Sequence, residues 1–261
     1  WLAVALMPVN WGLETYKCYF LVNRFIPLSF QKAFESVLSG LSLAVNTPNR
    51  IGEYGGRVLY LPANFRMQGI ALTLVSSVGQ LLVTLVCGWI ALQLLQPQLY
   101  KVQLGGTHFS GVLLRVFGFS VLFFAAITAL FFFRMQLLAR MLQWIPWLKE
   151  KLSFTSVLQG LSNKTYLAIL FYSFLRFVVF ALQYLLIWQA LQVELPLWEG
   201  FWSIALIFLV MAIVPGFAIA DVGIRGAVAL SIVSVFSANS VAILAGTAGI
   251  WLSRRYLQWG R

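Results

Sequence analysis

The feature that most limits this chain is a series of apolar stretches, each near the length a helix needs to cross a lipid bilayer. They lie at about 1–22, 69–95, 111–133, 166–192 and 226–252, and each holds few charges. Roughly 20 apolar residues in a helix cross a ~30 Å hydrocarbon core. Inside lipid the backbone has no water to bond, so a helix, which satisfies its own backbone, is the natural spanning form. Of the 261 residues only 10% are charged and 61% are hydrophobic, and mean hydropathy is +0.88. Soluble domains sit nearer half apolar. The expected fold is therefore all-α: a polytopic membrane helical bundle with about five full spans. No linker or low-complexity segment divides it, so residues 1–261 read as a single domain. Trp1 already lies inside an apolar run, and a further helix before it is expected in the natural protein.

The net charge of +11 raises nucleic acid as a partner, but the basic residues cluster between the apolar spans. Loops on the cytoplasmic side of a membrane have that composition, so no nucleic-acid partner is expected. The 134–164 connection carries Arg134, Arg140, Lys149, Lys151 and Lys164, whereas 96–110 carries only Lys101 and 193–200 carries none. This asymmetry puts 134–164 in the cytoplasm and predicts an inner-membrane, multi-pass protein. The C-terminus, with Arg254, Arg255 and Arg261, is then cytoplasmic as well. Within 134–160, Leu137, Leu138, Met141, Leu142 and Ile145 recur at helical spacing among basic residues, as in a helix lying in the headgroup layer.

Two other apolar segments look broken. They are residues 34–61 and 201–230. With Phe34 set against Phe201, each reaches a proline after the same interval, at Pro48 and Pro215. One further residue in the second copy brings Glu53 onto Asp221 and Arg57 onto Arg225. Each acid precedes its arginine by four, so the two share a helix face and can neutralise one another. Proline removes a backbone donor and glycine loosens the chain. Pro48, Gly52 and Gly56 are thus the expected helix breaks in the first copy, and Pro215, Gly216 and Gly223 in the second. Corresponding interruptions in two halves of a membrane protein point to a transporter-type binding site. If each segment is a re-entrant hairpin, three spans separate the two, and repeat units of about 29–61 and 198–230 are inverted.

The stretch Thr47-Pro48-Asn49-Arg50-Ile51-Gly52-Glu53, followed by Gly56-Arg57, resembles the signature of the lysylphosphatidylglycerol synthase/flippase membrane-domain family. Pro215-Gly216, followed by Gly223-Ile224-Arg225, resembles its second signature, although Gly226 stands where that family usually has Glu. The likeness runs along nearly the whole chain. It implies flippase-like transfer of an anionic phospholipid or a polyprenyl-linked lipid between leaflets. It does not imply synthase activity, because the soluble aminoacylating domain has no counterpart here.

Ionisable side chains in a membrane are costly and are functional candidates by default. Arg50, Arg57, Arg225 and Arg176 are the candidate headgroup ligands, since the guanidinium fork suits phosphate. Glu53, Asp221 and Glu14 are candidates to orient them or to couple transport to a cation. Arg176 sits near mid-span and needs a partner, for which Glu14 is available. Arg115, near a helix end, is expected to snorkel to the interface. No enzyme is expected: His108 is the only histidine, no cluster has metal-ligand spacing, no serine has an evident base, and there is no nucleotide-binding loop. No cofactor or metal is implied, and Cys18 and Cys87 read as packing residues. The chain reads as a lipid flippase or transporter with a mid-membrane headgroup site. The alternative is a non-transporting accessory subunit of a membrane glycosyltransferase or lipid-modifying enzyme. Membrane lipids are the expected partners, with a homodimer or a partner membrane enzyme as open assemblies.

Overall fold

The computed structural model describes residues 2–45, 47, 51–100, 103–104, 107–108, 110–135, 155–214 and 220–259. Among these the chain is helical, apart from a two-residue antiparallel ladder of β1 (Gln103–Leu104) and β2 (Thr107–His108). The first helices are α1 (Leu2–Val22), α2 (Phe30–Val45) and α3 (Gly52–Val58). A single turn at Ala63–Phe65 then leads into α4 (Arg66–Leu94), and α5 (Gln96–Leu99) precedes the ladder. After it come α6 (Gly111–Phe133), α7 (Thr155–Gln159) and α8 (Asn163–Ala190). The last three are α9 (Leu197–Ile213), α10 (Ala220–Val233) and α11 (Ser240–Trp259).

Among the described residues three helical stretches are long and apolar enough to cross a membrane: Ala63–Leu94, Gly111–Phe133 and Asn163–Ala190. This suits a membrane protein. So does the surface of α6, where Val112, Phe119, Phe123, Phe124 and Leu130 are all exposed. A soluble protein rarely leaves so large an apolar patch uncovered, whereas hydrocarbon solvates it without cost.

One expected span is corrected. Residues 226–252 do not form a continuous helix, because α10 ends at Val233 and α11 starts only at Ser240. The cause is local. Asn239 Oδ1 accepts the Ala242 N–H at 3.1 Å, an N-cap that opens a new helix, and Ser237 Oγ accepts the Asn239 N–H at 3.4 Å. The predicted headgroup-layer helix at 134–160 falls mostly outside the described residues, of which only the short α7 belongs to it.

The chain forms two compact units. One comprises Asn10–Leu82 and Ala126–Arg176, and the other Trp1–Val9, Val83–Ala125 and Phe177–Arg261. In the first, Leu21, Leu72, Val75, Phe132 and Ile169 are buried, with the Tyr166 ring set edge-on to Phe132 at 5.1 Å. Here α2 and α3 form an antiparallel hairpin. Ser36 Oγ donates to the Arg57 carbonyl at 2.8 Å near one end. At the other end Thr47 Oγ1 donates to the Leu43 carbonyl at 3.1 Å and accepts the Gly52 N–H at 2.8 Å, tying the end of α2 to the start of α3. Gly40 and Gly56 face each other between these ties: a Cβ on Gly56 would lie 2.6 Å from the Gly40 Cα. In the second unit Phe208 of α9 packs edge-on against Phe177 and Tyr184 of α8, at 5.6 Å in each case. Trp188 lies against Gly246 of α11 and donates its indole N–H to the Ile243 carbonyl at 3.4 Å.

Gly56 and Gly223 are therefore not helix breaks. Both lie inside helices, Gly56 because α2 leaves no room for a side chain and Gly223 in open space. Gly52 begins α3, and Pro48, Pro215 and Gly216 lie outside the described residues.

This packing separates glycines that the sequence alone cannot. Gly56→Leu should destabilise the protein by about 1–3 kcal/mol through overpacking of the hairpin. Gly55→Ala, with nothing within 4 Å of the new methyl group, should be neutral or stabilising by roughly 0.5–1 kcal/mol. Thermal unfolding of the detergent-purified protein measures both, and equal losses would contradict the hairpin packing.

Candidate functional site: a buried charge network

In α1, Asn10, Glu14 and Lys17 occur at helical spacing and so share one face. All three are almost fully enclosed, with Glu14 3% and Lys17 1% exposed. An uncompensated carboxylate in such a place would cost many kcal/mol, and three cations surround this one. Arg57 Nη2, from α3, donates to Glu14 Oε1 at 2.6 Å. Arg176 Nη1, from α8, donates to Glu14 Oε2 at 2.6 Å, and Lys17 Nζ lies 3.0 Å from that same oxygen. The candidate pairing of Arg176 with Glu14 is thus present. Arg176 is near the middle of α8, so the network sits near the midpoint of a helix long enough to span.

Further bonds fix the cations. Arg57 Nη2 also donates to Glu53 Oε1 at 2.5 Å, the pair expected from their four-residue spacing. Arg176 Nε donates to Asn10 Oδ1 at 3.0 Å. Lys17 Nζ donates to Ser173 Oγ at 3.4 Å, and Gln80 Nε2 of α4 donates to the Ser173 carbonyl at 3.3 Å. The hairpin matters directly, because a Cβ on Gly40 would strike Arg57 Cγ at 2.8 Å. A side chain at Gly40 would displace the guanidinium from Glu14. Lys17, Arg57 and Arg176 thus share Glu14 and Glu53, which leaves a formal excess of one positive charge among the five.

The second acid–arginine pair lies in the other unit. Arg225 Nη2 donates to Asp221 Oδ2 at 3.1 Å and Oδ1 at 3.3 Å, and Arg225 Nη1 donates to the Tyr184 hydroxyl oxygen at 3.4 Å. This pair is more open, with the Asp221 side chain 25% exposed against 4% for Glu14. The two arginines share one trait: Arg57 and Arg225 each keep a buried Nε–H with no acceptor among the described residues.

Of the candidate ligands, Arg57 and Arg176 meet at Glu14, Arg225 pairs with Asp221 within the other unit, and Arg50 lies outside the described residues. Lys17 and Asn10 are further members of the network. Their helical spacing from Glu14 was the available signal. Tyr184 and Ser173 likewise lie eight after and three before Arg176 on one helix. Among the described residues no group of His, Cys, Asp and Glu could hold a metal ion.

Glu14→Gln removes the negative charge shared by three buried cations. It should cost about 3–5 kcal/mol, the usual penalty for breaking a buried pair. Asp221→Asn, in the more open pair, should cost about 1 kcal/mol or less. Thermal unfolding in detergent compares them, and a larger loss for Asp221→Asn would overturn Glu14 as the centre. Comparisons with known protein families, curated proteins and solved structures find no match for this chain, so the reading of the site rests on its own geometry.

Proposed function

We propose that this protein is a flippase-like lipid transporter of the lysylphosphatidylglycerol synthase/flippase membrane-domain type, binding an anionic headgroup at membrane depth. The observation that supports this most is the cation excess around Glu14. Among the described residues three cations face two carboxylates there, a poor structural device, since a neutral pair or a hydrophobic patch would be cheaper to bury. The same arrangement suits an anion, because a phosphate can share the guanidinium groups of Arg57 and Arg176. The acceptor-free Nε–H groups of Arg57 and Arg225 give each arginine a donor to offer a phosphate oxygen. Glu14, Glu53 and Asp221 hold the arginines in position when no lipid is bound.

The helix lengths support an inverted-repeat topology. Helices α2, α3, α9 and α10 have 16, 7, 17 and 14 residues. At 1.5 Å per residue they reach about 10–26 Å, short of a ~30 Å core. We read α2–α3 and α9–α10 as re-entrant hairpins, entered from opposite faces, with α1, α4, α6, α8 and α11 as the five crossings. The fifth crossing thereby moves from 226–252 to α11. The basic 134–164 connection and the C-terminus then lie on the cytoplasmic side of the inner membrane.

The test is transfer of a fluorescent phosphatidylglycerol between leaflets of vesicles containing the purified protein. Arg57→Ala and Arg225→Ala should each lower the rate at least tenfold while the protein still elutes as a folded species. Undiminished transfer in both variants would refute the headgroup site. No transfer by the unmodified protein, together with a partner enzyme that co-purifies stoichiometrically, would favour the accessory-subunit reading instead.

A further inference from the structure

A cavity of about 300 Å³ opens between α4 and α6, within the unit that does not contain Glu14. Its upper part is polar: Arg115, Gln93 and Gln96 line it beside Trp89. Its lower part is apolar, lined by Leu92, Phe119 and Leu122. Among the described residues no carboxylate lines it. Arg115 forms no ion pair among the described residues.

The depth of this cavity follows from the chain. Gln93 lies at the end of α4, Gln96 opens α5 and Arg115 is in the second turn of α6, so the polar part is at the edge of two apolar helices. Tryptophan and arginine favour that headgroup level. Leu122 is seven residues after Arg115, or about 10 Å further along α6, so the floor lies in hydrocarbon. Gly118 keeps the passage between them open: a Cβ there would lie 3.2 Å from Gln93 Nε2 and 3.3 Å from Leu92 Cδ2. A leucine at that position would fill the passage.

We propose that this groove is a specific binding site for an anionic phospholipid, separate from the network at Glu14. The Arg115 guanidinium takes the phosphate, the Gln93 and Gln96 amides hydrogen-bond the headgroup, and one acyl chain descends past Gly118 onto Phe119 and Leu122. A cavity of about 300 Å³ is at the low end of ligand-site volumes. It holds a headgroup and the start of a chain, leaving the rest of the lipid in the bilayer. The Arg115 guanidinium selects anionic lipids over zwitterionic ones, whose own positive group would meet it.

The test places a photo-crosslinking benzoylphenylalanine at Leu122 in the protein reconstituted in nanodiscs. These contain phosphatidylglycerol and phosphatidylcholine in equal amounts, and adducts are counted by mass spectrometry. Phosphatidylglycerol adducts should exceed phosphatidylcholine adducts at least fivefold. Arg115→Gln should remove the preference and Arg115→Lys keep most of it, while Gly118→Leu should lower both adducts severalfold. Soluble glycerol phosphate at millimolar concentration should not compete, because the acyl chain is part of what binds. Equal labelling by the two lipids in the unmodified protein would overturn the proposal. So would a preference that survives Arg115→Gln, or a signal abolished by glycerol phosphate.

Discussion

A carboxylate buried inside a helical bundle must be compensated, and Glu14 is compensated by groups from three parts of the chain. Lys17 comes from its own helix, Arg57 from the short α3 and Arg176 from α8. Each cation is itself too costly to leave in an apolar interior. The position of each helix in this unit is therefore coupled to the others through a single side chain. The α2–α3 hairpin presents Arg57 at the right height only because Gly40 and Gly56 let two backbones approach closely. Packing and electrostatics depend on each other here, and neither alone explains the conformation of Arg57.

The two acid–arginine pairs share a spacing but not an environment. Glu53–Arg57 is one side of a larger network, whereas among the described residues Asp221–Arg225 is joined only by the Tyr184 hydroxyl. An arginine held by two carboxylates is a fixed donor, whereas one held by a single, partly open carboxylate can exchange partners at lower cost. On the proposed lipid-binding reading, this difference makes the two segments unequal stages for a headgroup rather than duplicates.

The sequence revealed what is local. Prolines and glycines marked the two interrupted segments, and a four-residue spacing marked both ion pairs, because each signal spans about one helical turn. The start of α11 was equally local, yet apolar residues on both sides of Ser237 and Asn239 hid it. Hydropathy averages over such a cap, while the backbone does not. What could not be read was long-range. Nothing in α3 announces that Arg57 reaches Glu14, and nothing about Gly56 distinguishes a close helix contact from a break. Those facts depend on which helices become neighbours. Asn10 and Lys17 lie between these cases, since their shared face with Glu14 was visible but its burial was not.

The network also constrains how the protein is assembled in the membrane. Thr47 closes the α2–α3 hairpin through bonds to Leu43 and Gly52, partners only four and five residues away. That unit can form as soon as it leaves the ribosome, since short loops close at little entropic cost. Arg176 follows Glu14 by 162 residues, so α1 leaves the ribosome long before α8 has been synthesised. During that interval Glu14 has Lys17 and then Arg57 as counter-charges, and the last guanidinium arrives only when α8 inserts. Insertion of α8 is thus the step that locks the unit, and a nascent chain stalled before it would hold a hairpin without its final anchor.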